Sequence, residues 1–348
     1  MTTCDVLVVG GGPAGSTCAW QLRQSGLDVC VIDAAPFPRD KLCAGWITPQ
    51  VVTELALDTE AYRQGRTFQP ITRFRVGLIQ GGAAVETDYG RPVSYGIRRC
   101  EFDHYLLQRS GARATLGMPV RSIRRDGEGW VVNDAIRASM LVGTGGHFCP
   151  VARWMNGPMK AAPTVVAQEI EAPIASHERE RFAIDGEAPE LYFSRDLQGY
   201  GWCVRKGDYL NVGFGRLDRR LLPKGTAEFL AFLTARGRIS PRSSWPWRGH
   251  AYAVYDSPHR RLVDAAVLLA GDAAGLAYPE SGEGIRPAVE SGLLAAATIN
   301  AVMPSFFLLS FTSAPACSNV RPDSTSPCCA AKSSGVKSPF ERARTSAP

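Results

Sequence analysis

The sequence predicts an α/β fold in which an antiparallel sheet is inserted into a domain built on a parallel sheet. Three observations support this prediction. Residues 5–33 follow the strand–helix–strand order of a parallel βαβ unit. Between residues 164 and 214 the pattern changes to short strands joined by hairpin turns. The alternation of strand and helix then returns at Ala265–Ala270 and Ile285–Ala301, so the antiparallel part lies inside the first domain.

The N-terminal unit begins with a strand at Val6–Val9, a continuous apolar run as expected for a strand buried on both faces. A helix over Ala14–Ser25 follows, and Gly26 provides its stop signal. The second strand is Val29–Ile32. The next loop, residues 36–49, is rich in proline, arginine and glycine. Compact domains usually keep loops of this length for function.

The middle of the chain contains shorter elements. Two strands are predicted around a Gly-Gly turn, at Phe74–Ile79 and Ala84–Thr87, and a helix is predicted over Glu101–Arg109. The remaining predicted elements are the strands Val120–Arg124, Trp130–Asn133, Met140–Gly143, Thr164–Glu169, Leu191–Phe193, Tyr200–Val204 and Tyr209–Phe214, and the helix Thr226–Arg236.

These elements predict two domains and a tail. The parallel-sheet domain takes residues 1–70, 96–163 and 256–302, and the antiparallel domain takes residues 71–95 and 164–255. Residues 303–348 are dominated by serine, proline and alanine and lose apolar periodicity, so we expect a disordered tail there.

The composition excludes several classes of protein. The 348 residues include 39 Lys and Arg against 33 Asp and Glu, and this net charge of +6 is too mild and too dispersed to indicate nucleic-acid binding. No apolar run reaches the about 18 residues of a membrane-spanning helix, and no signal peptide precedes the first strand. The ten cysteines are scattered without the spacing of metal ligands. We therefore expect no metal and a cytoplasmic location.

A glycine motif follows the first strand. Residues Gly10, Gly12 and Gly15 fit the pattern G-x-G-x-x-G, and Asp33 ends the second strand 18 residues after the last glycine. The first glycine permits a tight turn, the second lets the backbone approach a pyrophosphate, and the third lets the helix pack on the strand. The helix start favours the phosphates, and the acidic side chain can accept hydrogen bonds from ribose hydroxyls. The motif therefore predicts a dinucleotide site.

A second motif near the end of the fold indicates that the dinucleotide is FAD. A buried strand ends in Gly271-Asp272, and Gly282-Glu283-Gly284-Ile285 then opens a helix. An aspartate at a strand end can hold the ribityl chain of a flavin, which a nicotinamide dinucleotide lacks. The helix start can face the isoalloxazine ring, where reduced flavin carries negative charge.

These motifs resemble those of the geranylgeranyl reductase family of FAD-dependent oxidoreductases, in the hydroxybenzoate-hydroxylase-like superfamily, which also holds monooxygenases and flavin-dependent halogenases. The resemblance extends over residues 5–300. It is carried by the two FAD motifs and by three further segments, namely Pro38–Gly45, Arg99–Leu106 and the strand pair Tyr200–Val204 with Asn211–Gly213. It implies a Rossmann-like, glutathione-reductase-like FAD-binding domain with an inserted antiparallel substrate domain.

The resemblance and the motifs together give a set of candidate site residues. The predicted FAD-binding residues are Gly10, Gly12, Pro13, Ala14, Gly15, Asp33, Arg39, Cys43, Ala44, Gly45, Arg99, Val120, Gly271, Asp272, Gly282, Gly284 and Ile285.

Four of the candidate side chains have an alternative interpretation. Cys43 is the candidate catalytic residue, because a thiol beside the flavin can deliver a proton to a substrate carbon; alternatively it is a small apolar filler. Arg99 contacts the cofactor or forms a structural salt bridge. Tyr200 and Trp202 line an apolar substrate pocket or belong to the plain core.

The chain departs from the family pattern in three places. The Phe-Pro pair that follows the Trp strand in the family is Val204-Arg205 here. The segment Gly143–Gly146 lacks the family's aspartate. The tail replaces the helices that follow the last FAD motif.

Three functions fit these observations. The first is reduction of carbon–carbon double bonds in an isoprenoid-like apolar substrate by reduced FAD. The second is an FAD-dependent monooxygenase that hydroxylates or epoxidises a small apolar or aromatic substrate. The third is a truncated, inactive FAD-binding protein. The expected partners are a small apolar substrate, an electron donor that is NAD(P)H or a reductase or ferredoxin, and a weak peripheral membrane contact.

Overall fold

The structure is a computed structural model that describes residues 1–157, 164–174, 184–240, 246–255, 260–279 and 281–312, with the backbone alone for 304–312. The chain clusters into Met1–Pro304 and Ser305–Pro348. The sheets and the site described below belong to Met1–Pro304.

The described strands are β1 Thr2–Val9, β2 Val29–Asp33, β3 Trp46–Ile47, β4 Gln69–Ile71, β5 Arg73–Leu78, β6 Val85–Asp88, β7 Ser94–Gly96, β8 Arg113–Leu116, β9 Ile123–Asp126, β10 Gly129–Val132, β11 Ile136–Gly143, β12 Thr164–Pro173, β13 Glu190–Phe193, β14 Gly199–Lys206, β15 Tyr209–Arg216, β16 Arg248–Ala253, β17 Val263–Asp264 and β18 Val267–Leu269. The described α-helices are α1 Pro13–Gln24, α2 Pro49–Glu54, α3 Thr59–Arg63, α4 Arg99–Arg109, α5 Pro150–Asn156, α6 Leu222–Ala235 and α7 Ile285–Thr312. Short 3-10 helices occupy Arg219–Leu221 and Gly271–Ala273.

The first sheet places its strands in the order β17-β18-β11-β1-β2-β8, with the hairpin of β9 and β10 attached to β11. The strands from β18 to β8 pair in parallel, as in the pairs Val6 with Val29 and Val6 with Met140. Both faces of β1 are apolar because both are covered. Leu7 packs against Trp130 and its neighbours on one face, and Val8 packs with α1 and α7 on the other. The α/β prediction is confirmed.

The parallel pairing decides where the site lies. The carboxyl ends of β1, β2, β11 and β18 meet at one edge of the sheet, which brings together Gly10, Asp33, Thr144 and Gly271. Ligands of parallel α/β sheets bind in the crevice outside these strand ends.

The second sheet has the order β16-β12-β15-β14-β13-β5-β6 and is antiparallel except for the pair β13–β5. One face packs on α6, where Phe229 contacts Phe214 and Tyr192 in a buried cluster. Because side chains alternate along a strand, the opposite face carries residues such as Trp202 and Glu169.

A third, small sheet was not predicted. β7 pairs with both β3 and β4, as in the pairs Trp46 with Gly96 and Gln69 with Gly96. The first strand of this sheet, β3, follows directly after the loop that contains Cys43. The first sheet draws its strands from residues 2–143 and 263–269, and the second from 73–88 and 164–253. The division into two domains stays a proposal. Residues 71–95 were predicted to belong to the antiparallel domain, but β7, which begins at Ser94, pairs with β3 and β4 and not with the second sheet.

The last helix is longer than the sequence predicted. The prediction ended the helix at Ala301 and began a disordered tail at residue 303, whereas α7 continues to Thr312. The residues that extend it are mostly apolar, and the one proline among them, Pro304, does not interrupt the helix. The rest of the predicted tail, residues 313–348, lies outside the described residues. Among the described helices, none combines the length and the apolar character needed to cross a membrane.

Candidate functional site

A cavity of about 450 Å³ runs along the carboxyl ends of the first sheet and reaches β16 of the second sheet. Most of the predicted FAD-binding residues line it. Those that do are Gly10, Gly12, Pro13, Ala14, Asp33, Arg39, Cys43, Arg99, Gly271, Asp272, Gly282, Gly284 and Ile285.

The other four predicted residues lie behind this lining. Val120 packs against the core of the first sheet. Gly15 lies under the glycine turn, where an added Cβ would overlap the carbonyl oxygen of Gly10. Ala44 and Gly45 lie against the second sheet. Their contact with FAD stays a prediction.

The glycine turn is shaped by close backbone contacts. Gly10 has a φ of +113°, and a Cβ there would lie 2.5 Å from the carbonyl oxygen of Thr144. The Thr144 hydroxyl donates to the carbonyl oxygens of Val9 and Gly10 at 3.0 and 2.8 Å. The turn therefore joins β1 to the loop after β11 and leaves no room for a side chain at Gly10.

The start of α1 is open to the cavity. Gly12 is the N-cap, no side chain caps the helix, and Pro13 occupies its first turn. A Cβ on Gly12 would have a single neighbour within 4 Å, the Nη2 atom of Arg39 at 3.4 Å. A helix start with uncapped N–H groups and a cation beside it fits a pyrophosphate.

Asp33 lies at the end of β2 and lines the cavity beside the glycine turn. Its two carboxylate oxygens accept hydrogen bonds from the N–H groups of Gly11 at 2.8 Å and Ala35 at 2.9 Å. Each oxygen keeps further acceptor capacity, because a carboxylate has about four acceptor positions. The side chain is thus held in place and can accept hydrogen bonds from a ribose.

The second motif closes the other end of the cavity. Gly271 has a φ of +64°, and its N–H donates to the Ser291 hydroxyl on α7 at 2.9 Å. Asp272 follows in the short 3-10 helix, and its Oδ1 atom lies 3.2 Å from where a Cβ on Gly284 would be. The aspartate therefore lies close to the start of α7, and its contact with a ribityl chain stays a prediction.

Arg99 is both a lining residue and a member of a buried ion pair. Its Nε and Nη2 atoms donate to the two carboxylate oxygens of Asp103 at 2.7 and 2.8 Å. Arg39 also pairs with Asp103, at 3.2 Å. Burial disfavours the charge of Arg99, but Asp103 and Cys43 outweigh burial and hold the pKa of Arg99 above its usual value. The structure thus shows the salt bridge, and contact with the cofactor stays a prediction.

Several lining residues lie outside the predicted set, among them Lys41, His250 and Tyr252. Burial and the neighbouring Arg99 lower the pKa of Lys41. Burial, Lys41 and Arg99 lower the pKa of His250 to about 4, so its imidazole is neutral near pH 7. Its Nδ1 atom is buried with no hydrogen-bond partner in the described part of the chain. A buried polar atom of this kind fits a cavity that takes a polar ligand.

The predicted pocket residues Tyr200 and Trp202 lie next to the cavity lining and not in it. Trp202 is 5% exposed, and its indole N–H donates to the Oδ1 atom of Asn211 at 2.7 Å. The Tyr200 hydroxyl donates to the carbonyl oxygen of Ser281 at 2.9 Å, beside the start of α7. Burial raises the pKa of Tyr200 to about 12, so the phenol stays neutral. Their role in substrate binding stays a prediction.

Among the described residues, no group of three or more His, Cys, Asp or Glu side chains is arranged to hold a metal ion. The donor set of the cavity is that of a dinucleotide site. It has an open helix start, one aspartate at each end, and cations between them. These features fit FAD.

Comparison with known proteins defines the class. Residues 5–86 match the family model described as FAD dependent oxidoreductase. Together with the relatives described next, this match shows that the chain is an FAD-dependent oxidoreductase.

Two relatives narrow this class, and a solved structure shows the same fold. The chain is 31% identical over 324 residues to a menaquinone reductase of Mycobacterium tuberculosis, an alignment that covers 84% of this chain and 76% of the relative. It is 27% identical over 325 residues to a geranylgeranyl diphosphate reductase of Rhodobacter capsulatus, covering 86% and 76%. A geranylgeranyl bacteriochlorophyll reductase-like structure from Thermoplasma acidophilum shares the fold, with a TM-score of 0.76, 22% identity, and coverage of 88% and 80%. The chain belongs to the geranylgeranyl reductase family of FAD-dependent oxidoreductases.

Proposed function

We propose that this protein reduces carbon–carbon double bonds of an isoprenoid-like apolar substrate. The observation that carries the proposal is the position of Cys43. It lines the FAD cavity together with Arg99 and Lys41, between the glycine turn and the second sheet. The names of the relatives support the substrate class, since one is a menaquinone reductase and another a geranylgeranyl diphosphate reductase.

The cofactor contacts follow from the cavity. The start of α1 at Gly12 would hold the pyrophosphate, Asp33 the adenosine ribose, and Asp272 the ribityl chain. The start of α7 at Ile285 would face the flavin ring. This arrangement supports assigning the first sheet and its helices to a Rossmann-like domain of the glutathione-reductase type, with the second sheet as the substrate domain.

Bound FAD supplies the hydride for the reduction. The protein must then supply a proton to the neighbouring carbon, and the position of Cys43 in the cavity lining supports this role for its thiol. Arg99 and Cys43 line the same cavity, and Cys43 is one of the groups that raise the pKa of Arg99. A thiol that gives up its proton becomes a thiolate, and an adjacent cation stabilises that thiolate. Arg99 is itself fixed by Asp103, so the cation stays in place during the transfer.

The remaining partners are those of the class. An apolar substrate enters from the side of the second sheet, and electrons come from NAD(P)H or from a reductase or ferredoxin. A weak peripheral contact with a membrane suits a lipid-like substrate, and a cytoplasmic location suits the scattered cysteines.

The test uses the FAD-loaded protein, reduced anaerobically with dithionite and mixed with geranylgeranyl diphosphate or with menaquinone. We expect flavin reoxidation together with a product that has gained two hydrogens per double bond. Cys43→Ala slows this reaction by about 10²- to 10⁴-fold, the usual contribution of a general acid, without loss of FAD. Cys100→Ala, which changes a half-buried cysteine outside the cavity, serves as the control. Native rates in Cys43→Ala would contradict the assignment.

A further inference from the structure

The loop that carries Cys43 is held by the second sheet through its backbone. The Asn211 side chain donates from Nδ2 to the carbonyl oxygen of Cys43 at 3.2 Å. The Lys206 ammonium donates to the carbonyl oxygen of Ala44 at 3.1 Å, and the N–H of Ile97 donates to that of Gly45 at 2.8 Å. Three consecutive carbonyl groups of the loop are therefore fixed.

The remaining contact comes from Glu169. The N–H of Cys43 donates a hydrogen bond to the Oε1 atom of this carboxyl group. Glu169 lies on β12, opposite Gly213 of β15, and is 1% exposed. Its second oxygen, Oε2, is buried and has no hydrogen-bond partner within the described ranges. One side chain thus binds the backbone of the candidate proton donor and keeps one polar atom unsatisfied, which costs free energy in a protein interior.

Most of the charged groups around Glu169 form ion pairs with other residues. Lys206 pairs with Glu171 at 2.5 Å, and Glu171 also pairs with Arg98 at 3.0 Å. Arg99 is bound by Asp103. Arg248, opposite Glu169 on β16, pairs with Asp40 at 3.0 Å.

Two neutral groups complete these surroundings. They are Tyr200 on β14 and His250 on β16, whose pKa values are shifted by burial so that neither carries charge near pH 7. Burial raises the pKa of Glu169 to about 7, although Lys206, the Cys43 N–H and Arg99 oppose that effect. Glu171 acts in the same direction as burial. Glu169 therefore changes charge near neutral pH.

We propose that Glu169 is the positioning residue for Cys43. It fixes the backbone of Cys43, and its own protonation state decides whether a negative charge opposes formation of the Cys43 thiolate. This inference rests on the proposed role of Cys43. Both protonation states can accept the Cys43 N–H, so the loop is held throughout. Only the carboxylate repels a second negative charge on the sulfur. Proton release from Cys43 is therefore favoured while Glu169 is neutral.

The test measures the alkylation of Cys43 by iodoacetamide in the FAD-loaded protein, followed by mass spectrometry of the Cys43 peptide, from about pH 5.5 to about pH 8.5. Glu169→Gln keeps the acceptor oxygen and removes the charge. The ratio of native to Glu169→Gln rates stays near one at low pH and falls on the order of threefold to tenfold as the pH passes 7. Glu228→Gln, on the exposed side of α6, is the control and gives a constant ratio. A constant ratio for Glu169→Gln overturns the proposal.

A second variant covers the case in which Glu169→Gln does not retain FAD. Glu169→Asp keeps the ionisable group and withdraws it from the Cys43 N–H, so alkylation rises at every pH because the Cys43 backbone loses one of the contacts that hold it. Unchanged alkylation in Glu169→Asp also overturns the proposal. Alkylation needs no substrate, so it tests Glu169 even if Cys43→Ala reduces the substrate at the native rate. That result would contradict the proposed role of Cys43 alone.

Discussion

Replacing Gly12 by valine separates FAD binding from folding. Gly12 has a φ of −74°, which any residue adopts, and an added Cβ would approach a single atom, the Nη2 of Arg39 at 3.4 Å. The fold therefore tolerates the side chain. The same side chain occupies the space at the start of α1 that a pyrophosphate needs, and it holds the phosphate away from the uncapped N–H groups.

The size of this effect follows from the hydrogen bonds that the phosphate no longer makes. A hydrogen bond to a charged group contributes about 1.5–3 kcal/mol, and the valine side chain removes at least one such bond to the phosphate. Loss of one bond weakens FAD binding roughly 10- to 150-fold.

The assay is a titration of FAD into the apoprotein, followed by quenching of flavin fluorescence, with the melting temperature of the apoprotein measured in parallel. Gly82→Val is the matched control, because a Cβ at Gly82 meets nothing within 4 Å and the residue lies far from the cavity. We expect native melting temperatures for both apoproteins and weak FAD binding for Gly12→Val alone. A Gly12→Val protein that binds FAD like the native chain would refute the assignment of the pyrophosphate to this helix start.

Three further predictions follow from the same structure. Asp272→Ala weakens FAD by about ten- to hundredfold and shifts the flavin potential, whereas Asp33→Ala weakens FAD similarly and leaves the potential unchanged; titration and potentiometry of each variant separate the two. Because the folded pKa of Glu169, about 7, lies above its ordinary value of 4.5, this residue's contribution to stability is fully present below pH 4.5 and is lost as the pH rises through 7. Urea unfolding should therefore show that Glu169→Gln gains on the order of 2–3 kcal/mol relative to the native protein at about pH 8, and equal stabilities at all pH values would contradict this. Deletion of residues 313–348, which are rich in serine and proline, should leave the melting temperature and the FAD content unchanged, and a large fall in either would show that this segment packs.

The cofactor motifs could be predicted because each is local in sequence. The spacing from Gly10 to Asp33 encodes one turn, one helix start and one strand end, and β1 and β2 pair in parallel. The pair Gly271-Asp272 precedes a helix in the same way. The residue types and their spacing are therefore readable from a short stretch of sequence, although the contact that requires glycine at Gly10 comes from the distant Thr144.

The residues of the second sheet that lie against the Cys43 loop could not be predicted, because their position depends on the register of distant strands. Glu169, Lys206 and His250 reach the Cys43 loop because β12, β14 and β16 belong to one antiparallel sheet with one face toward it. The sequence does contain a signal, since Glu169 and Glu171 alternate with apolar residues on a buried strand. The small sheet was missed because β3 has two residues and β7 has three, which is too short for a periodic pattern.

The most direct test of the central claim is a single turnover of the reduced, FAD-loaded protein with geranylgeranyl diphosphate or menaquinone under ¹⁸O₂, with mass analysis of the product. A reductase adds hydrogen to the double bond without oxygen from the gas, and the product forms equally well in anaerobic buffer. We predict that result. A product that contains ¹⁸O, and that forms only when O₂ is present, would contradict the account and identify the protein as a monooxygenase.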